Sequence, residues 1–360
     1  MIRFLHAADL HLGAPFSGLL PAQAAKRRRE QLELVQTMFE QANERGCRLA
    51  LLAGDIFDAE TAGPDTVEAV QRACASFRGD IFLAPGNHDC CRAGSVYLTG
   101  GWPQNVHIFT RREIARVDLS ECTVYGAGFE AASEGPLLEG FRAEGPGVKL
   151  MVLHGDAVQK DSPYNPITKK QIADSNLTYL ALGHIHQASG LLHAGETAYA
   201  WPGCAMGRGF DELGEKGVYL GEISDSGALT LTFCPLGGRR YEILCVEAGE
   251  NALSSIEQAL PDGTQDDIYR MILTGESGPI DTRALEQALE GRFFGLSIRD
   301  ETRPKRDIWQ DVGEDTLRGL FLRQLRAQYD RAPDDEARRQ IALAAKLGLD
   351  AMENRLEVEA

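Results

Sequence analysis

The sequence has no run of about 18 apolar residues, the length a helix needs to cross a bilayer, so no membrane-spanning helix and no membrane partner are expected. Its start, MIRFLHAADLHLG, lacks the basic, apolar and small-residue zones of a secretory signal, and a cytoplasmic location is the expectation. Cysteine is sparse and scattered. There are eight, two of them the neighbours Cys90 and Cys91, and no C-x-x-C pair. That spacing excludes a zinc knuckle or a thioredoxin-like centre, and reduced, mostly buried thiols are expected. Positive charge is in deficit: 37 Lys and Arg face 53 Asp and Glu, for a net charge of −16. Such a chain repels polyanions, which counts against a free-standing nucleic-acid binder and means that role would need metal ions, a local basic surface or a partner. The densest basic cluster, Lys26-Arg27-Arg28-Arg29, precedes Glu30 and Glu33 and reads as a solvated helix face.

What is present is 360 residues, enough for two or three domains, with 43% hydrophobic residues to fill more than one core. The first two-thirds alternate β-rich and helical runs: IRFLHAA, a helix over about 22–45, RLALLAG, a helix near 65–77, and IFLAPG. Then TVYGAG, VKLMVLHG, YLALGHIH, AYAWPG, GVYLGEI and LTLTFCP follow with fewer helices between them. This pattern predicts an α/β domain over 1–238 with two mixed β-sheets packed face to face and flanked by helices. From residue 239 the alternation restarts. RRYEILCVEA, a helix over NALSSIEQAL, DIYRMILTG, a helix over TRALEQALEG, and FFGLSIRDE predict a small α/β domain over 239–308. Residues 309–360 read as helical, with Leu317, Leu320, Phe321 and Leu325 at three- and four-residue spacing, then Ile341, Ala344, Ala345 and Leu347. These two amphipathic helices either pack on their own domain or present an apolar stripe to another protein.

Five fragments carry the chemistry: HAADLHLG at 6–13, AGDIFD at 53–58, PGNHD at 85–89, VLHGD at 152–156 and YLALGHIHQ at 179–187. In each, an apolar β-run stops and a polar or metal-capable side chain follows at its carboxyl end, where α/β architectures gather their ligand-binding loops. A lone H-x-H such as His184 and His186 is more often a pair of solvated imidazoles, so its company decides. Asp9, His11, Asp55, Asn87, His154, His184 and His186 offer oxygen and imidazole nitrogen without thiolate, a donor set suited to Mn²⁺, Fe²⁺ or Zn²⁺ at two neighbouring positions. Two cations about 3.5–4 Å apart, sharing a carboxylate, polarise a phosphoryl oxygen and stabilise the entering and leaving oxygens of an in-line displacement. Asn87 and His88 are adjacent and cannot both point at the same ion. Asp58 reads as a group that fixes a ligand or caps a helix. His6, His107 and His193 read as exposed or satisfied imidazoles.

In their order these fragments match D-x-H, G-D-x-x-D, G-N-H-D/E, a lone H, and G-H-x-H, and the chain resembles the calcineurin-like metallophosphoesterase superfamily. The resemblance implies the metallophosphoesterase fold. It also implies that Asp9, His11, Asp55 and His186 hold one metal and that Asp55, Asn87, His154 and His184 hold the other, with Asp55 bridging. His88 would meet the leaving or phosphoryl oxygen as a general acid or electrostatic stabiliser, oriented by Asp89. The implied cofactor is a pair of divalent ions, Mn²⁺ first, with Fe²⁺ and Zn²⁺ open.

The stretches HAADLHLGAPFSG, YNPITKKQIADSNLTYLALGHIHQ and AWPGCAMGRGFDELGEKGVYL are similar to SbcD/YhaO-type DNA repair exonucleases, strongly to about residue 225 and by layout beyond it. Protein phosphatases usually show Arg after the second motif and G-N-H-E in the third, where this chain has Ala59 and Asp89. The position after G-N-H-D, often Ser in SbcD-type enzymes, is Cys90. The resemblance implies a DNA substrate, a second domain that caps the active site, and C-terminal helices that dock on an SMC-like ATPase with long coiled coils. That ATPase would supply much of the phosphate grip an acidic chain lacks; a homodimer is compatible with the same reading. Two alternatives remain open: a phosphodiesterase or phosphatase for small molecules, and an assembly subunit with vestigial nuclease activity.

Overall fold

The structure, a computed structural model, describes residues 1–59, 62–304 and 307–352. Residues 305–306 of the expected small domain and the last eight of the expected helical tail lie outside the described residues. Strands β1 (Ile2–Ala7), β2 (Leu49–Leu52), β3 (Asp80–Leu83) and β4 (Val106–Ile108) pair in parallel in that order. A second sheet contains β5 (Ala115–Asp118), β6 (Cys122–Gly126), β7 (Val148–His154), β8 (Tyr179–Gly183), β9 (Leu192–Ala194) and β10 (Thr197–Ala200), in the order β5-β6-β7-β8-β10-β9. The chain then returns to the first sheet. There β11 (Gly217–Ile223) lies antiparallel to β1, and β12 (Leu229–Pro235) antiparallel to β11. Helices α1 (Pro21–Glu44), α2 (Pro64–Ser76) and α3 (Lys169–Asp174) flank the sheets.

The period-two alternation of side chains explains why two sheets form. Phe4, Leu49, Leu51 and Phe82 of the first sheet meet Val124, Leu150, Val152, Tyr179 and Ala181 of the second in one core. The intervening residues Leu5, Ala50, Leu52 and Leu83 point the other way, onto Val35, Met38 and Phe39 of α1 and Val70 of α2. Met151, Leu153, Leu180 and Leu182 cover the outer face of the second sheet, with Ile172 of α3. The sheets therefore pack face to face, as the sequence predicts. One expectation is corrected at α1: Arg27 is not on a solvated face but fully buried, because its guanidinium finds Glu30 at 2.9 Å and the Gly207 carbonyl at 2.9 Å. All eight cysteines are free thiols and only Cys245 is exposed. Among the described residues no helix is long and apolar enough to cross a membrane.

Beyond residue 239 the element order is β13 (Tyr241–Glu247), α4 (Ala252–Ala259), β14 (Ile268–Thr274), β15 (Glu276–Ser277), α5 (Thr282–Ala288), β16 (Gly295–Asp300) and β17 (Arg303–Pro304). Strands β13, β14 and β16 form a sheet in that order, and β15 pairs with β17. The chain divides into two compact units: Met1–Leu244 with Leu260–Met271 and Glu286–Ile298, and Cys245–Ala259 with Ile272–Leu285 and the chain from Arg299 onward. In the second unit, α6 (Leu317–Asp330) starts on the Thr316 hydroxyl, which accepts the Gly319 N–H, and α7 (Asp335–Met352) packs back on it. The packing corrects the predicted stripe. Leu322, Ala345 and Leu349 are buried, with Phe321 and Leu325 against them, while Leu317 and Leu320 are 78% and 60% exposed. Gly348 explains the rotation, since a Cβ there would lie 2.2 Å from the Phe321 ring; Phe321 therefore packs directly on the α7 backbone.

A buried imidazole ties the two large sheets together. His6 of β1 lies fully buried between them, its Nδ1 accepting from the Tyr179 hydroxyl at 2.8 Å and its Nε2–H donating to the Leu182 carbonyl at 2.9 Å. Burial pushes its pKa down to about 3 from the ordinary 6.5. A base depressed in the fold binds its proton more readily when unfolded, so its contribution is complete above about pH 6.5 and is lost as pH falls toward 3. His6→Gln keeps both bonds but cannot titrate. The stability advantage of wild type over His6→Gln, from urea denaturation, is expected to shrink by about 2 kcal/mol between pH 7 and pH 5; a constant difference would show that His6 is not held neutral.

Candidate metal centre

The five motif loops leave the carboxyl ends of β1, β2, β3, β7 and β8. The first two are zipped together by the backbone, with Asp9 N–H on the Gly54 carbonyl at 3.0 Å and His11 N–H on the Asp55 carbonyl at 2.9 Å. Asp9, His11, Asp55 and His184 adopt φ values of 53°, 44°, 52° and 93°. Non-glycine residues at positive φ cost about 1–3 kcal/mol each and persist only where surrounding structure holds them, commonly at functional sites. Close approach explains two glycines. A Cβ at Gly54 would lie 2.4 Å from His154 Nδ1, and one at Gly86 2.2 Å from Asp55 Oδ1.

The structure brings all seven sequence-predicted ligands together. On one side His11 Nε2 and His186 Nε2 stand 3.3 Å apart, with Asp9 Oδ1 3.9 Å from His186 Nε2. On the other, Asn87 Oδ1 lies 2.9 Å from His154 Nε2 and 3.2 Å from His184 Nδ1. Asp55 sits between: its Oδ2 is 3.4 Å from His154 Nε2 and 3.8 Å from His11 Nε2, and its Oδ1 accepts the His88 N–H at 2.9 Å. Asp9 ties first motif to last by accepting the His184 N–H at 3.0 Å.

The hydrogen-bond pattern fits a cation on the side of Asn87, His154 and His184. His154 Nδ1 faces the Ala53 carbonyl at 2.9 Å and so carries a hydrogen, which leaves the neutral ring's Nε2 lone pair against the Asn87 and Asp55 oxygens. Acceptors facing acceptors in a buried site call for a positive centre, either a proton or a metal ion. His154 shows the same demand, because burial alone would lower its pKa but the Asp55 and Asp9 carboxylates raise it above the ordinary value. His184 is lowered, by burial and by the neighbouring His154. Burial would raise the Asp55 carboxyl, yet His154, His11 and His88 hold it below its usual range. Three groups of side chains converge closely enough to share an ion: Asp9, His11 and His186; Asp9, Asp55 and His154; and His11, Asp58 and His88. In the third, the Arg208 guanidinium at 3.2 Å from Asp58 Oδ1 already supplies the positive charge.

His88 is exposed at the edge of this cluster, its ring edge-on to His11 with centroids 4.7 Å apart. The expectation that Asp89 orients it is corrected. Asp89 is buried and its oxygens accept the N–H groups of Gly86 at 2.8 Å, Ile56 at 2.7 Å and Phe57 at 3.1 Å, together with the Tyr97 hydroxyl. It shapes the loops that carry Asp55 and Asn87, while the Asp58 carbonyl, 3.2 Å from His88 Nδ1, holds the imidazole. Of the other histidines, His107 bonds Asp80 at 2.9 Å and His193 is exposed, as expected.

Sequence reasoning assigned no role to Arg208 and Glu212. Glu212 Oε1 lies 2.7 Å from His186 Nδ1 and 2.6 Å from Arg208 Nη2. Burial would raise the Glu212 carboxyl, but the bonds from His186 and Arg208 hold it far below the usual range. The four-residue spacing of the two charges in GRGFDE was the available signal, but no helical pattern surrounds it.

Residues 2–188 match the calcineurin-like phosphoesterase family. A Bacillus subtilis (strain 168) protein described as an uncharacterized metallophosphoesterase, YhaO, is 29% identical over 239 residues, covering 62% of this chain and 58% of that protein. The chain thus matches less than two-thirds of that relative's length. Solved structures that resemble it include TT1561 of Thermus thermophilus (TM-score 0.40, 13% identity, 64% of this chain and 98% of that one). A dimetal phosphatase from Danio rerio is similar at a TM-score of 0.45 and 9% identity, over 66% of this chain and 96% of that one. With the family match covering just over half of its residues and all five motifs, the chain belongs to the calcineurin-like phosphoesterase family.

Proposed function

We propose that this protein is a two-metal phosphodiesterase of the DNA exonuclease type, using Mn²⁺ and working with an SMC-like coiled-coil ATPase. The observation that carries the phosphoesterase reading is the place of Asp55, whose Oδ2 faces both His154 Nε2 at 3.4 Å and His11 Nε2 at 3.8 Å. Asp9, His11 and His186 with Asp55 would hold one ion, and Asn87, His154 and His184 with Asp55 the other. When bound, such a pair supplies Lewis-acid activation of water and of the phosphoryl group. His88 donates its Nδ1–H to the Asp58 carbonyl, so Nε2 is the nitrogen turned to substrate at an exposed ring, and the protonated imidazole would offer its second proton there to a leaving oxygen. Support for DNA comes from the SbcD/YhaO-like stretches, which extend the likeness beyond the motifs themselves.

His186→Ala is expected to lower metal content from two ions per chain to one with little change in melting temperature, and His154→Ala to lose one ion with a lower melting temperature, because it strips the buried Asp55 of a partner; two full ions by elemental analysis in both variants would overturn the ligand assignment. His88→Ala is expected to keep both ions while turnover of an unactivated diester falls by roughly 10²-fold or more. An aryl ester with a good leaving group should lose less. Equal losses on both esters would exclude a general-acid role. Incubation with Mn²⁺ and single- or double-stranded DNA beside a generic phosphodiester, resolved on gels, tests the substrate class. Degraded DNA supports the exonuclease reading, and turnover of the small diester alone replaces it with the small-molecule one.

The partner proposal rests on α6. Leu317 and Leu320 stay largely exposed while Leu322 closes the pairing with α7. Exposed leucines on one helix end offer anchors for a partner helix. Leu317→Glu with Leu320→Glu is expected to leave the melting temperature unchanged and abolish co-purification with the ATPase. Undiminished association would sink the proposal.

A further inference from the structure

A metal ligand is usable only if its lone pair faces the ion, and in His186 a choice of tautomer decides this. Two groups compete for His186 Nδ1: Glu212 Oε1 at 2.7 Å, which can only accept, and Arg208 Nη2 at 3.1 Å, which can only donate. If Nδ1–H donates to Glu212, Nε2 presents its lone pair toward Asp9 and His11. If Nδ1 accepts from Arg208, the neutral ring carries its hydrogen on Nε2 and the lone pair is lost to the site. We infer that Glu212, held by Arg208, is a positioning residue that fixes His186 as the Nδ1–H tautomer and thereby sets ion affinity at the position shared with Asp9 and His11. This inference rests on the two-metal reading above.

The surroundings are built for that outcome. Glu212 is 3% exposed and accepts the Arg208 backbone N–H at 2.8 Å through Oε2, so Oε1 is left turned toward the imidazole. The Arg208 guanidinium spends Nη2 on Glu212 at 2.6 Å and Nη1 on Asp58 at 3.2 Å. Occupied by two carboxylates, it is a weaker rival for Nδ1. Asp58 Oδ1 in turn stands 3.3 Å from His11 Nδ1, so one arginine spans the outer partners of both histidines at this position. The backbone of His186 is pinned too, its carbonyl accepting the Cys204 N–H at 3.2 Å. A Cβ at Gly203 would lie 2.7 Å from that carbonyl. The other position is arranged differently: His154 Nδ1 bonds a main-chain carbonyl, which no side-chain substitution removes.

Glu212→Ala is expected to weaken one of the two Mn²⁺ ions by about 10–100-fold, read by competition with a chelator and elemental analysis. In the metal-free protein, long-range ¹H–¹⁵N correlation should show His186 moving from the Nδ1–H toward the Nε2–H form, because Arg208 now has Nδ1 to itself. Glu212→Gln keeps an acceptor oxygen and should restore affinity to within a few-fold, which also tests the idea if the alanine variant folds poorly. Adding Arg208→Ala to Glu212→Ala removes the competing donor and the stranded charge together, and should recover part of the loss. Wild-type affinity in Glu212→Ala, no recovery in Glu212→Gln, or a double variant weaker than the single one each overturns the inference. His186→Ala separates the two levels. If it loses an ion while Glu212→Ala does not, only the positioning role fails; if it loses none, the ligand assignment fails with it.

Discussion

The Asp55 carboxylate is the group on which the site depends. It is 1% exposed, and an ionised carboxylate removed from water is tolerated only where charge and hydrogen bonds repay a penalty of several kcal/mol. Its compensation comes from three separate motif loops: the His88 N–H on Oδ1, and His154 and His11 beside Oδ2. Each compensating group has its own geometric requirement. Gly86 has no Cβ because Asp55 Oδ1 occupies that space, and Asp89 gathers the N–H groups of Ile56 and Phe57, directly after Asp55, with that of Gly86. The loops are thus folded around a charge as much as around one another.

Holding that charge takes a rigid base. Four of the expected ligand residues sit at positive φ, and a strain of about 1–3 kcal/mol each requires elements that do not yield. The parallel strands β1, β2 and β3, and β7 beside β8, end in these loops, and the core between the sheets locks their register through Phe4, Phe82, Leu150 and Tyr179. His6 adds a directional tie across the same interface. A slip of one residue in β1 would turn Phe4 out of this core and carry Asp9 and His11 away from Asp55.

Much of this was legible in the sequence, for a physical reason: strands announce themselves by composition, and a metal centre by residue types that have little other cause to end apolar runs. α1 and α2 fall within a residue or two of the expected ranges, and the seven residues expected as ligands converge. Short edge strands such as β4, β5 and β9 were not legible, because three or four residues with partial burial carry no period. The roles of Asp89, Arg208 and Glu212 were also hidden. Each acts through contacts made across loops, and spacing along the chain says nothing about which carboxylate meets which imidazole. On α6 the expected stripe Leu317, Leu320, Phe321 and Leu325 is half right: Phe321 and Leu325 turn inward with Leu322, which shares i,i+3 spacing with Leu325, and the Phe321 contact with Gly348 favours that face over Leu317 and Leu320.

The charge balance of the chain bears on how an anionic substrate is met. With a net charge of −16, the chain spends buried or half-buried cationic side chains on its own groups: Arg208, beside His186, on Glu212 and Asp58, and Arg27 on Glu30 and a carbonyl. They neutralise carboxylates that shape the site and leave no donor for a phosphate without breaking a buried pair. Ions held around Asp55 and His88 at their edge would then supply positive charge to a phosphoryl group. Repulsion from more distant carboxylates is screened beyond a Debye length of about 10 Å at 0.1 M salt. A polyanionic substrate of the kind proposed would therefore sense mainly the charge within that distance of the centre, where two bound divalent ions would reverse the sign.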